Sequence, residues 1–150
     1  MKGLATSTVA LSLFATCPAI ADEKADVKDA IESWGKTVAE GCISDPDKIA
    51  GLYAKDGVLW GTLSPSIRSD AAGIQGYFKD ACVKLPKLTV AFKDHLVRVY
   101  GNTAIDSGTY VFSFEKDGAK TDLPARYTFV LVRNGGRWQI VDHHSSAMPK

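Results

Sequence analysis

The feature that most constrains the fold of this chain is a series of long β-rich segments in its C-terminal half. The segments cover residues 88–100, 103–114, 123–133 and 137–144. The junctions between them have the chemistry of hairpin turns, namely Gly101-Asn102, Asp117-Gly118 and Asn134-Gly135-Gly136. Runs of 8 to 13 residues exceed the usual strand length of about five or six. They therefore predict a strongly curved antiparallel sheet that wraps around another part of the chain.

Three helices precede these segments and are what such a sheet can enclose. Their apolar stripes are Val27, Ile31, Trp34 and Val38 in the first, Ile49, Leu52 and Tyr53 in the second, and Ile74, Tyr77, Phe78, Ala81 and Cys82 in the third. Asp45-Pro46 predicts the start of the second helix and Gly57 its end, before a short strand at 58–63. The order indicates an α+β domain with three N-terminal helices packed in the curved sheet.

The N-terminus has the pattern of a secretory signal peptide over residues 1–21. Lys2 precedes an apolar stretch at 4–15, and Ala19-Ile20-Ala21 supplies the small residues of a cleavage site. The stretch is shorter than the roughly 20 residues that a membrane span needs. A lipoprotein alternative at Cys17 is disfavoured by Thr16, which is neither Gly nor Ala. We predict a single domain at 22–150, periplasmic or secreted, with no membrane attachment after cleavage.

Charge and cysteine content narrow the classes of partner. The whole chain has 18 basic and 17 acidic residues, and cleavage of the predicted signal peptide removes one of them, Lys2. The mature chain then has 17 basic and 17 acidic residues. Without a basic run, nothing indicates a nucleic-acid partner. Cys42 and Cys82 remain, and they are either a disulfide that an oxidising compartment permits or two buried free thiols.

The segment from Asp142 to Ser146 contains the first candidate site. If Arg133 pairs with Arg137 across the turn, Arg126 lies opposite His144, on the same face as Asp142. These three side chains are suited to binding a small anion, and Asp142 and His144 are candidates for acid–base catalysis. The structural alternative is a hydrogen-bonded network that joins the last two strands or lies at a dimer interface.

The opposite face offers a competing site. There His143 and Tyr127 would share an aromatic wall with Phe129, Tyr110 and Trp60, which suits a mostly apolar ligand. The sequence does not decide which face is inside, because one bulge would switch the alternation. Both faces are partly apolar, so we expect a homodimer or a larger ring that assembles through the sheet.

No cofactor or metal is predicted. The chain has no phosphate-binding loop, dinucleotide fingerprint or nucleophile elbow. A zinc site could draw only on His95, Asp142 and His144. An acid–base enzyme commonly uses a buried acid, for which the strands offer Asp94 and Asp106 besides Asp142.

A family resemblance covers most of the predicted mature chain. It rests on DSGTYVFSF and PARYTFVLVRNGGRWQIVDHHSSAMP, with LYAKDGVLWGTLSPSIR and YFKDAC before them. These segments resemble a bacterial branch of the nuclear transport factor 2-like superfamily, of the SnoaL-like, SgcJ/EcaC type, and are similar to the association (hub) domain of calcium/calmodulin-dependent protein kinase II. The resemblance implies a cone-shaped fold with an open-ended cavity, usually paired through the sheet.

The resemblance implies two classes of function. One is a non-catalytic module for oligomerisation or small-molecule binding. The other is a cofactor-independent isomerase, cyclase or hydrolyase that acts on a small hydrophobic carbonyl compound. The arginines of the hub pocket are absent, and Val111, Phe129 and Ser145 stand at their positions. This departure does not support a carry-over of the hub's small-acid binding. Ser145 is nevertheless a candidate ligand contact, and the predicted ligand is a small anionic or apolar molecule.

Overall fold

The first helix, α1, spans Ile20–Ser44 and packs against strands of the sheet. The computed structural model describes residues 20–149, so residues 1–19, most of the predicted signal peptide, lie outside the described part. The predicted stripe is confirmed, because Val27, Ile31, Trp34 and Val38 are all at most 1% exposed. No helix within residues 20–149 is long and apolar enough to cross a membrane.

The predicted second helix is wrong in length. Helix α2 is a single turn, Asp47–Ala50, and the first strand, β1, already begins after it and spans Tyr53–Trp60. Tyr53 faces Ile140 in a parallel pairing, and Ile140 N donates to Leu52 O at 3.1 Å. A tertiary strand partner thus overrides the apolar spacing that predicted a helix.

The third helix, α3, agrees with its prediction and spans Ala71–Lys84. Its N-cap is Asp70, whose side chain accepts a hydrogen bond from Gly73 N at 2.7 Å. A disulfide joins Cys42 of α1 to Cys82 of α3, with 4.9 Å between their Cα atoms. The structure therefore decides between the two cysteine alternatives in favour of the disulfide.

Within residues 20–149 the sheet has six strands. The remaining strands are β2 (Thr89–Phe92), β3 (Leu96–Tyr100), β4 (Thr103–Lys116), β5 (Ala119–Asn134) and β6 (Arg137–Ala147). Their order is β1-β6-β5-β4-β2, and β3 also pairs with β4. The predicted segment 88–100 is therefore two strands on one edge of β4. Because β1 runs parallel to β6, the sheet is mixed rather than wholly antiparallel.

The predicted register of the last hairpin is wrong. Asn134, not Arg133, lies opposite Arg137, so the turn is Gly135-Gly136, and both glycines have positive φ. A bulge then places Val141 as an extra residue on β6.

The shorter turn and the bulge together shift the later residue pairs of β5 and β6 relative to the predicted register. Arg126 lies opposite Ser146 instead of His144, and Thr128, not Arg126, lies opposite His144. Phe129 lies opposite His143.

Burial shows which face is inside. Ala125, Tyr127, Phe129 and Leu131 of β5 are at most 3% exposed and belong to the buried core cluster that includes Trp34 of α1. We call this side of the sheet the inner face. The outer face bears the alternate residues, including Ile105, Val130 and His144, together with Trp60 at its edge.

Candidate functional site

A small cavity lies between α1, α3 and the inner face, with a volume of about 30 Å³. We call it the cone cavity. Its lining is mostly apolar and includes Trp34, Val38, Leu59, Leu63, Tyr77, Phe78, Leu88, Tyr110, Phe112, His143 and Ser145. A volume of this size accommodates about two water molecules. A ligand of more than a few heavy atoms would have to displace lining residues.

His143 is the most polar buried group in this lining. The side chain is 2% exposed, and its ring stacks on Phe129 with 3.9 Å between centroids. Nδ1 shares a hydrogen bond with the Tyr53 hydroxyl at 2.8 Å, whereas Nε2 has no partner among the described residues. Burial, together with the smaller effect of the neighbouring His144, lowers the pKa of His143 to about 3. The imidazole is therefore neutral at neutral pH.

Hydroxyl groups supply the rest of the polarity. The Tyr110 hydroxyl donates to Ser145 Oγ at 2.5 Å, and Thr62 Oγ1 hydrogen-bonds to the same oxygen. Burial raises the pKa of Tyr110 and of Tyr53 well above their usual range. Both phenols therefore stay protonated, and the cavity presents neutral donors and acceptors.

A second cluster of buried polar side chains lies on the inner face, outside the lining of the cone cavity. His95 Nδ1 is 2.6 Å from Asp106 Oδ2, and the Tyr127 hydroxyl is 3.1 Å from the same oxygen. That hydroxyl also donates to the Asp94 backbone carbonyl at 2.7 Å. Burial, followed by the Asp106 charge, raises the pKa of Tyr127. We call His95, Asp106 and Tyr127 the acid–imidazole cluster.

Gly108 makes the cluster sterically feasible. A Cβ at this position would lie 2.0 Å from the Asp94 carbonyl oxygen and 2.7 Å from the Tyr127 hydroxyl. The bare glycine lets the chain between β2 and β3 approach β4 closely enough for its carbonyl to receive the phenol. Beyond His95, the Glu32 carboxylate of α1 is 3.9 Å from Nε2.

The structure separates the residues that the sequence grouped together. His143, Ser145 and Tyr110 line the cone cavity, and Tyr127 belongs to the acid–imidazole cluster. Asp142 and His144 are exposed on the outer face, away from the cavity.

Two further candidate residues also lie outside the cavity. Trp60 is 47% exposed and lies 6.0 Å from the His144 ring, rather than in the cavity wall. Arg126 is exposed and donates to Ser146 Oγ at 2.9 Å.

Sequence reasoning missed the pairing of His95 with Asp106. A usable signal existed in the Gly101-Asn102 turn. Counting back from that turn places Val97 opposite Asp106, which makes His95 a diagonal neighbour of the acid. Within residues 20–149, no group of three or more His, Cys, Asp or Glu side chains is placed to bind a metal ion.

Comparisons with known proteins agree with this architecture. The family model of the calcium/calmodulin dependent protein kinase II association domain matches residues 23–149. A solved structure from Xanthomonas campestris, a candidate member of that family, is 35% identical, with a TM-score of 0.77. The match covers 94% of this chain and 99% of that one. No curated protein matches this chain.

More distant solved structures share the fold alone. A nuclear transport factor 2-like protein with a cystatin-like fold from Novosphingobium aromaticivorans is 15% identical over 86% of this chain and 84% of its own, with a TM-score of 0.73. A candidate dehydratase of the same fold family from Streptomyces avermitilis is 17% identical over 88% and 100%, with a TM-score of 0.74. The family model, which spans nearly all described residues, decides the assignment. This chain belongs to the calcium/calmodulin dependent protein kinase II association domain family.

Proposed function

We propose that this protein is an exported, homo-oligomeric module that binds one small molecule in the cone cavity. The observation on which the proposal rests is His143, a buried imidazole in an apolar cavity whose Nε2 has no partner in the described part of the chain. A buried polar atom without a partner is costly, and a ligand that hydrogen-bonds to it removes that cost. Ser145 supplies a second contact in the same lining.

The chemistry of the lining favours a neutral ligand. Among residues 20–149, no charged side chain lines the cone cavity, and a neutral imidazole does not compensate a bound carboxylate. Moving an unpaired charge from water into such an apolar environment has a large unfavourable free energy. Of the anionic and apolar ligands that the sequence allowed, we therefore propose the apolar type, with one hydrogen-bonding group directed to His143.

Three matched probes test the ligand assignment. Acetone, acetamide and acetate have nearly the same shape but differ in charge, and each can be titrated into the protein while amide chemical shifts are recorded. We expect saturable shifts near His143 and Ser145 with acetone or acetamide, and none with acetate. His143→Phe keeps the stacked ring and should abolish the shifts, whereas His144→Phe on the outer face should keep them. Preferential binding of acetate would overturn the proposal.

The proposed oligomer pairs two copies through the outer face. Leu96 and Tyr100 are each 62% exposed and flank a row that contains Ile105 and Val130. Large exposed apolar side chains on a sheet face are typical of a protein partner surface. A second copy of this chain is the occupant that we propose, because the family to which it belongs is named for association.

Sedimentation tests the oligomer directly. The wild-type protein should sediment as a dimer or larger ring, and Val130→Glu should shift it toward monomer by placing a charge in the centre of the outer face. Lys36→Glu, on the exposed side of α1, is the control and should not change the distribution. A monomeric wild type at micromolar concentration is incompatible with the proposed oligomer.

Export is part of the proposal. The disulfide between Cys42 and Cys82 is compatible with an oxidising compartment, and the predicted signal at 1–21 supplies the route. Expression of the full chain, followed by fractionation and N-terminal sequencing, should give a mature protein outside the cytoplasm that begins at Asp22. Recovery of the uncleaved chain in the cytoplasm would contradict the proposed export.

A second candidate function is a cofactor-independent acid–base enzyme. The observation that favours it is the acid–imidazole cluster, in which a fully buried Asp106 orients His95 through Nδ1. Enzymes that isomerise or cyclise carbonyl compounds remove a proton beside the carbonyl. Exchange of the methyl protons of acetone in deuterated buffer should then be faster with the wild type than with Asp106→Asn. Equal rates for both would exclude the cluster as the base.

A further inference from the structure

A second, larger recess lies between the N-terminal half of α1 and the start of β6. Its volume is about 400 Å³, against about 30 Å³ for the cone cavity, and the two share no lining residue within the described part of the chain. This volume lies within the usual range of about 300 to 1,000 Å³ for small-molecule sites. We call it the helix–strand groove. Its apolar surface comes from Leu52, Leu131 and Ile140 among others.

Trp138 is a fixed wall of this groove. The Arg133 guanidinium lies over its ring, 4.5 Å from the centroid, and Arg133 Nη1 donates to Glu23 Oε1 at 3.1 Å. The cation–π contact and the ion pair connect β5, β6 and α1 and hold the indole in one orientation. Its Nε1–H is nevertheless buried, with no acceptor among residues 20–149. Because that nitrogen is closed to the groove, Trp138 contributes apolar ring surface to the recess rather than a donor to a ligand.

The two walls of the groove bear side chains of opposite charge. Asp26 comes from α1 and Arg137 from β6, both are exposed, and both line the recess. Among the described side chains neither forms an ion pair. A ligand with one charge would leave the other wall uncompensated, whereas a zwitterion satisfies both.

We propose that the helix–strand groove binds a free amino acid with an apolar side chain. Its carboxylate accepts from Arg137, its ammonium group donates to Asp26, and its side chain packs on Leu52, Ile140 and the ring of Trp138. This site is independent of the ligand proposed for the cone cavity. It differs from that cavity in size, in charge and in the elements that form it.

Three probes that differ by one charge test this assignment by calorimetry on the purified protein. L-leucine has both charges, 4-methylpentanoate lacks the ammonium group and 3-methylbutylamine lacks the carboxylate. We expect saturable binding of leucine, and binding at least about tenfold weaker for each of the other two, since each loses a charge-assisted hydrogen bond. Equal binding of leucine and 4-methylpentanoate, or no saturable binding of leucine, would overturn the proposal.

Variants test the residues. Arg137→Gln and Asp26→Asn change exposed side chains, so they should fold normally and weaken leucine binding at least about tenfold. Arg98→Gln, an exposed arginine of β3 outside the groove, is the matched control and should bind like the wild type. Trp138→Phe keeps an aromatic face in the groove but removes its indole, so it should remove the fluorescence change that leucine causes in the wild type. Wild-type affinity in Arg137→Gln and Asp26→Asn contradicts the proposed contacts.

Discussion

The imidazole of His143 stacks on the phenyl ring of Phe129, with 3.9 Å between centroids and 18° between their planes. The two residues face each other across β5 and β6 on the inner face. The indole of Trp34 in α1 lies edge-on to the imidazole, with 5.0 Å between the ring centroids. This aromatic enclosure excludes water from His143, which is the reason that its protonation is unfavourable.

Protonation of His143 should make the protein acid-sensitive. Its pKa is about 3 in the folded state against an ordinary value of 6.5. Between these values the unfolded chain binds a proton that the folded protein does not, so stability falls as pH falls through this window. His143→Phe should flatten the pH dependence of the free energy of unfolding by up to about 1.4 kcal/mol per pH unit. Urea titrations across the window measure it, and Lys36→Gln, a change on the exposed side of α1, should keep the wild-type pH dependence.

Reduction of the disulfide should destabilise the domain. Cys42 and Cys82 are 40 residues apart, and opening such a loop costs up to about 4 kcal/mol in the chain-entropy model. The urea midpoint should therefore fall when dithiothreitol is added. The double variant Cys42→Ser/Cys82→Ser is the control, and its midpoint should be low with or without the reductant. An unchanged wild-type midpoint would show that the bridge adds no stability.

Removal of one hydroxyl should weaken the acid–imidazole cluster. Tyr127→Phe deletes the donor to the Asp94 carbonyl and the contact to Asp106, and we expect a loss of about 1 to 3 kcal/mol because the buried acceptors remain. Tyr100→Phe removes a hydroxyl from a side chain that is 62% exposed and should change stability by less than about 0.5 kcal/mol. Equal denaturation midpoints for the two variants would mean that the Tyr127 hydroxyl contributes nothing.

A methyl group at Gly108 should be poorly tolerated. The Cβ would lie 2.0 Å from a backbone oxygen, so relief requires a shift of the chain, and we expect Gly108→Ala to cost about 1 to 3 kcal/mol or more. Gly76→Ala in α3 is the matched control, since a Cβ added there would meet no atom of the described residues within 4 Å. That substitution should stabilise the helix by about 0.5 to 1 kcal/mol. Thermal melting of the two variants should therefore shift in opposite directions.

Much of the fold could be predicted because local signals agree with tertiary contacts. The stripe that includes Val27 and Trp34 is buried as expected, and the glycine turns produce the expected hairpins. The second helix could not be predicted correctly, because Tyr53 gains a strand partner, Ile140, from a segment near the other end of the chain. Apolar spacing contains no information on such a partner.

The candidate site was less predictable for a related reason. A strand alternates its side chains between two faces, so any error in register exchanges the faces. The bulge at Val141 leaves no recognisable mark in composition, and it decides that His143 rather than His144 is inside. The acid–imidazole cluster depends on the close approach at Gly108, which spacing alone does not indicate.

The extra residue at Val141 also bears on how such domains diversify. Val141 and Asp142 together oppose Val130, so removal of Val141 would restore regular alternation and leave His143 and Ser145 inside and Asp142 and His144 outside. A single-codon deletion at this point would thus keep the neutral, hydroxyl-bearing interior, which lets the length of this strand vary between relatives without a change in ligand chemistry.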